Sequence, residues 1–245
     1  MARTAIGVPP QLTRRAHRIF RPRDLAGIYA HPRAEVSRLT RIGAVQRLAT
    51  GYYALVPQHR LGDPTWVPDL NAVALGIGQA DYGTDAVALM GVSAARIHGA
   101  ILRGLAVAVL AVPKQRPPLR TGNSLIVFTE RDVSRLDVER TETELGPGWA
   151  TTPEQTALDL AARPTLGGIE ASDAEEAIRA LAQRMDWAAF EDLAATQHHP
   201  KALAAARTIT GSTHLLDPAE LLMGKATVAC LKRRVGDVEH PRRAL

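Results

Sequence analysis

Prolines and glycines cut the first 55 residues into pieces that fit only a small helical head closed by a hairpin. Leu12, Ala16 and Ile19 recur at helical spacing in residues 10–20. Pro22 suits the first position of a second helix, because the missing amide hydrogen has no intrahelical partner there. Leu25, Ile28 and Tyr29 would be the buried face of that helix, across residues 21–29. Ala30 and His31 make a short turn, Pro32 suits the start of a third helix, and Gly43 suits the residue after its end. Two short β-like runs, 44–49 and 52–57, flank Thr50-Gly51, a tight hairpin position. Helix, helix, short turn, helix and hairpin is the order of a winged helix-turn-helix.

The charge is segregated in the same place. Residues 1–60 hold eleven arginines, no lysine, and only Asp24 and Glu35 as acids, a net +9. The rest of the chain nets −4, so the overall +5 arises in one quarter of it. A GC-rich genome explains arginine over lysine but not the scarcity of acids. Guanidinium groups grip phosphate and guanine through two parallel hydrogen bonds, so nucleic acid is the expected partner.

On a helical wheel, Val36 and Leu39 fall on one side of the helix from Pro32 to Ile42, and Arg33, Ala34, Ser37, Arg38 and Arg41 on the other. A polar helix face ordinarily just meets water. A solvated face usually mixes charge signs for pairing at i,i+4, whereas this one carries three arginines, with Glu35 on its flank. The expectation is a recognition helix in the major groove, read by Arg33, Ser37, Arg38 and Arg41. At the hairpin, Gln46, Arg47, Thr50 and Tyr52 are expected to reach phosphate or the minor groove, with Tyr53 and Leu55 packed inward.

Residues 57–68 are rich in proline, glycine and polar residues and read as a linker between a DNA-binding domain at 1–60 and a second domain at 69–245. The second domain reads as helical at 69–78 and 91–100, as strands at 105–113, 124–130 and 135–142, and as a long loop at 113–123. Thr152, Pro153 and Gln155 mark a helix start with a capping box, and the pattern from Ser172 onward is helical. The fold class is α+β: a winged helix-turn-helix, then a mixed α/β domain ending in helices. Aromatic residues make up only 4%, so Ala, Leu, Val and Ile must build the core.

Catalytic and metal-binding patterns are absent. Gly91-Val92-Ser93-Ala94-Ala95 lacks the second glycine of a nucleophile elbow, and Ser93 reads as a helix cap. Gly224-Lys225-Ala226-Thr227 lacks the upstream glycine of a phosphate loop. His98 reads as a hydrogen-bonded core histidine, and His198-His199 as a surface helix junction. Asp159 and Glu170 lack the spacing of a nuclease centre. The lone Cys230 permits neither an internal disulfide nor a thiolate cluster for zinc. No cofactor, metal or enzymatic activity is expected. The expected location is the cytoplasm, since neither a signal peptide nor an apolar span is read.

Residues 23–57, RDLAGIYAHPRAEVSRLTRIGAVQRLATGYYALVP, resemble the N-terminal winged helix of AbiEi-type antitoxins from type IV toxin–antitoxin systems. Three downstream segments are similar to landmarks of that family's C-terminal domain: ALMGVSAARIHGA at 88–100, the strand ending in LAVP before KQRP, and TTPEQTALDLAARP at 151–164. The resemblance spans roughly 10–165. It implies an autorepressor of its own operon, paired with a nucleotidyltransferase-like toxin. It places DNA contacts at Arg33, Ser37, Arg38, Arg41, Arg47 and Tyr52. The expected partner is duplex operator DNA with repeated half-sites, bound cooperatively by a protein that is a monomer or weak dimer in solution. A nuclease targeted by the winged helix and a transcription factor sensing a small molecule are the alternative readings.

Overall fold

The computed structural model describes residues 8, 10–13, 18–63 and 65–211. The described residues up to Thr210 belong to one compact unit. The helix read at 218–231, Cys230 and the Gly224-Lys225 segment lie outside the described residues.

The chain begins with a short helical turn, α1 (Pro10–Thr13), and a two-residue strand, β1 (Ile19–Phe20). Ile19 was expected at the end of a helix; it pairs with Ala54 in a sheet instead. Pro22 starts a single 3-10 turn, Pro22–Leu25, where a longer helix was expected. Its apolar face is as read: Leu25 is buried, and Ile28 and Tyr29 are half-buried. Nine residues make a marginal helix in isolation, and only the start of this one is capped, where the Asp24 carboxylate accepts the Arg21 amide at 2.8 Å.

Helix α2 (Pro32–Arg41) follows, with proline in its first turn. Gly43 at φ 72 ends it, and the Ala44 amide donates back to the Leu39 carbonyl at 3.0 Å. Strands β2 (Val45–Ala49) and β3 (Tyr52–Leu55) form the expected hairpin, with Gly51 at φ 85 in its turn. The three-stranded sheet is antiparallel, in the order β1-β3-β2. Both of its faces are covered. Tyr53 and Leu55 meet Phe20, Leu25, Val36 and Leu39 on one side. Ile19, Tyr52 and Ala54 meet helix α3 (Leu70–Tyr82) on the other.

Helix α3 is apolar nearly all round, and residues 71–79 are all buried. Asp69 caps it by accepting the Asn71 amide at 2.8 Å. Beneath it lies a six-stranded mixed sheet built from β4 (Ala88–Leu89), β5 (Val107–Val112), β6 (Leu119–Thr121), β7 (Ser124–Glu130), β8 (Val138–Thr143) and β9 (Gly146–Thr151). The order is β6-β7-β5-β4-β9-β8, with β5/β7 and β4/β9 parallel. The fold is α+β. Strand β5 falls where the continuous apolar run placed it, and β7 and most of β8 fall where the alternation placed them. β4, β6 and β9 were not anticipated: two are only two or three residues long, and Pro147 and two glycines weaken the pattern of the third.

Side chains on alternate sides of the sheet go to different cores. Leu89, Leu110, Ile126 and Phe128 face α3. Met90, Val109 and Ala111 face a layer of helices on the other side. That layer holds α4 (Val92–Ile97), α5 (Pro153–Ala162), α6 (Ala171–Ala182), α7 (Trp187–Thr196) and α8 (Pro200–Thr210). Thr152 caps α5 by accepting the Gln155 amide, while the Gln155 side chain reaches Asp159 and Gln197 rather than completing a capping box. Ser93 was expected to cap a helix. It is buried, and its hydroxyl accepts the Val109 amide of β5 at 2.9 Å. Residues 57–68 contain a 3-10 turn, Gln58–Arg60, and bury Trp66, whose indole donates to Glu144 at 3.3 Å.

Two glycines let α3 sit this close to both sheets. A Cβ at Gly76 would lie 2.6 Å from Ile19 Cδ1 and 3.3 Å from Ile19 Cβ; one at Gly78 would lie 2.4 Å from Leu110 Cδ2. Ile19 is β-branched and cannot swing its Cβ aside. Alanine is the better helix former by about 1 kcal/mol, but the overpacking costs about 1–3 kcal/mol. Gly76→Ala is therefore expected to lower unfolding free energy by up to about 2 kcal/mol net. Gly104→Ala, which meets nothing within 4 Å, should stay within about 0.5 kcal/mol of wild type. Urea unfolding of both variants checks this; equal midpoints would refute the close-approach argument.

Candidate functional site

The wheel's division of α2 holds in three dimensions. Val36 and Leu39 are buried, while Arg33, Ala34, Ser37, Arg38 and Arg41 are all exposed. Arg33 and Arg41 make no ion pair among the described residues. Arg38 differs. Its guanidinium grips the flanking Glu35 through Nε at 2.9 and 3.1 Å and through Nη2 at 2.5 Å. Those bonds hold the Glu35 carboxyl below its ordinary value. Arg38 therefore lies on the predicted face with its charge largely compensated, because residues three apart are neighbours on a helix.

At the hairpin, Arg47 and Thr50 are exposed, and the Arg47 guanidinium donates to the Thr50 hydroxyl at 3.4 Å. Tyr52 was read as a surface contact, but it is only 9% exposed. Its hydroxyl donates to Asp81 Oδ2 at 2.5 Å. Burial, followed by the hydrogen bond to Asp81, raises its phenol above the ordinary value. The alternation was read correctly, but α3 covers the face that was assigned to solvent.

Asp81 is the centre of a polar cluster that sequence reasoning missed. One carboxylate oxygen takes the Arg21 guanidinium; the other takes Arg116 together with Tyr52. Arg21 also donates to the Ala80 carbonyl at 2.7 Å. Arg116 lies 4.3 Å above the Phe128 ring, a favourable placement for a cation. The cluster joins the small sheet, the end of α3 and the loop before β6. Its members are 60 and 35 positions apart in sequence, so no local pattern announces them. The signal available was weak: Asp81 lies in the last turn of a helix whose preceding residues are all apolar or amide.

Above this cluster lies an open groove of about 1180 Å³. Arg33 and Ser37 of α2 form one wall and the turn at Thr50 and Gly51 another, with Arg23 at the rim. Arg41 and Arg47 do not line it. Four arginines and His31 face a single acid, Asp81. The surface is thus cationic where α2 and the hairpin meet, and it can hold an anion through guanidinium forks.

The helical layer contains a second buried polar group. Asp159 is 5% exposed, and its Oδ2 has no hydrogen-bond partner. Its Oδ1 accepts from Gln155 at 3.2 Å and from Arg131 at 3.4 Å. Burial pushes its carboxyl up to about 6, against the lowering effects of Arg131, the Gln155 hydrogen bond and Arg163. Gln197 joins this network from the end of α7, next to His198 at φ 58, a left-handed conformation unusual for histidine. His98 is a core histidine: its Nε2 lies 2.7 Å from the Thr151 carbonyl.

A family model, the AbiEi antitoxin C-terminal domain, matches residues 86–218. The chain belongs to the AbiEi antitoxin family. Its family membership identifies it as an antitoxin of a toxin–antitoxin system. The match begins just before β4 and takes in the whole helical layer, including the segment beyond residue 165 that carried no recognisable motif. All three downstream landmarks fall inside it. The segment 10–85, with α2, the hairpin and α3, precedes it. No curated protein matches the chain. Among the described residues, no helix of this AbiEi antitoxin is long and apolar enough to cross a membrane.

The raised Asp159 carboxyl gives the antitoxin domain a pH dependence of known sign. The folded state holds this proton more tightly than the unfolded chain, whose carboxyl sits near 3.8. The stabilisation is complete below about 3.8 and is lost as pH rises through about 6. At most it amounts to about 3 kcal/mol. Melting temperature should therefore fall between pH 5 and 7.5 in wild type, and Asp159→Asn should flatten that slope. A variant with the wild-type slope would exclude Asp159 as its source.

Proposed function

We propose that this AbiEi antitoxin binds operator DNA through a winged helix-turn-helix at its N-terminus and represses its own operon. The supporting observation is the outer face of α2, on which Arg33, Ser37 and Arg41 stand exposed beside a hairpin tip carrying Arg47 and Thr50. An outward helix next to such a hairpin can enter the major groove while the hairpin follows the backbone. Arg33 and Arg41 are the base readers in this reading. Arg47 and Thr50 anchor phosphate. Arg38 assists, held in place by Glu35. Tyr52 acts from below, by fixing the hairpin to Asp81. Repeated half-sites would be bound cooperatively, and the toxin it counteracts would be nucleotidyltransferase-like. The proposal includes no catalytic step.

The α3 contacts bear on how the head is tested. Cutting the chain near residue 65 would bare Ile19, Leu48, Tyr52 and Ala54, which pack against the rest of the core. Experiments therefore use the full chain. On duplex DNA from upstream of its own gene, Arg33→Ala and Arg41→Ala should each weaken specific binding by about 1–3 kcal/mol. Arg47→Ala should weaken specific and random duplex alike, and Arg38→Ala should have the smallest effect of the helix arginines. Affinity should fall steeply with salt, by about 0.9 log units per log unit of salt for each phosphate neutralised. Titrations at two salt concentrations read all of this. Absence of salt-sensitive duplex binding by the wild type would refute the DNA-binding role.

A further inference from the structure

The cationic groove has a construction that the helix-face reading does not use. Arg116 belongs to the loop before β6, inside the family-matched segment, yet it reaches the groove floor beside Tyr52 and Asp81. Phe128 below it and Asp81 and Tyr52 beside it hold its guanidinium in one orientation. Those two partners engage Nη1 and Nη2 and make no bond to Nε. Arg23 is a different kind of residue: its side chain is 72% exposed at the rim, with Asp24 no nearer than 3.9 Å. Arg33 lies across the groove from the hairpin turn.

We propose that this groove is a binding site for a phosphate ester, held by Arg23, Arg33 and Arg116. Guanidinium forks match the paired oxygens of phosphate better than ammonium groups do. The one carboxylate present does not oppose the anion strongly, because Asp81 already takes two guanidinium groups and a hydroxyl. Ser37 and Thr50, which carry neutral hydroxyls, also line the groove. A volume of about 1180 Å³ accommodates a nucleotide-sized ligand. The same chemistry comes from two sources, a free nucleotide or a backbone phosphate of bound DNA. Only the second rests on the DNA-binding proposal.

Arg23 and Arg116 separate this inference from that proposal, since neither is a base reader in it. The test titrates the full-length protein with ATP, GTP and inorganic phosphate by calorimetry, and with short duplex DNA by anisotropy. Arg23→Gln, Arg33→Gln and Arg116→Gln are compared with wild type after thermal unfolding has confirmed that each is folded. If the free nucleotide is the ligand, one ATP or GTP binds per chain, and each variant weakens it ~10-fold, the effect of losing one charge-assisted hydrogen bond. If the DNA backbone is the ligand, nucleotides do not bind, while Arg23→Gln and Arg116→Gln weaken duplex binding and shallow its salt dependence. Should Arg116→Gln fail to fold, exposed Arg23 decides between the same outcomes. Lack of nucleotide binding together with unchanged DNA binding in Arg23→Gln and Arg116→Gln overturns the groove and leaves the helix-face reading standing. Nucleotide binding without any DNA binding keeps the groove and removes the other.

Discussion

Helix α3 is the constraint on which the described structure depends. It is apolar nearly all round, so it cannot lie on a surface and must be covered from two directions. The six-stranded sheet covers it from below and the three-stranded sheet from above. Glycines at the two lines of contact bring Ile19 and Leu110 against its backbone. The small sheet is therefore packed on both faces and continues the core. Its strands are short, and strands this short do not hold together in water without such cover.

Electrostatics then fixes what packing brings together. Asp81 sits where α3 ends, next to two arginines from segments far apart in the chain. A largely buried carboxylate without partners would be strongly unfavourable; with two guanidinium groups and a phenol it ties Arg21, Arg116 and Tyr52 into a defined geometry. The groove above inherits tied cationic groups from this arrangement, and the walls add exposed ones. Asp159 in the helical layer is the contrasting case. Among the described residues it has one arginine and one amide, and an oxygen left over, and burial pushes its carboxyl up to about 6.

Much of this was legible in the chain because the signals were local. Pro32 and Gly43 bound α2, the 3.6-residue period sorts Val36 and Leu39 from the exposed arginines, and Gly51 marks the hairpin. A continuous apolar run found β5, alternation found β7, and Thr152-Pro153 found the start of α5. The misses were also systematic. Strands of two or three residues carry too little period to see, and a strand with proline and two glycines hides its pattern. Ile19 satisfied a helical spacing, yet β-branching and a partner in Ala54 made it a strand residue.

By itself, the sequence determined the α+β class, the bounds and polar face of α2, and the concentration of arginine in the first quarter of the chain. It also carried the resemblance to AbiEi antitoxins, because motif order survives in one dimension. Only the tertiary structure decided what each candidate residue can do. Periodicity says which side a residue faces but not what lies there. Tyr52 and Tyr53 alternate as read, and both faces of their strand turned out to be covered, so the phenol of Tyr52 serves Asp81. Arg38 kept its place on the face but found Glu35, since an ion pair depends on rotamers that a wheel does not carry. Arg116 entered the site from a distant loop and Asp81 from the end of α3, because burial of α3 brings its end, the hairpin and the loop before β6 to one point.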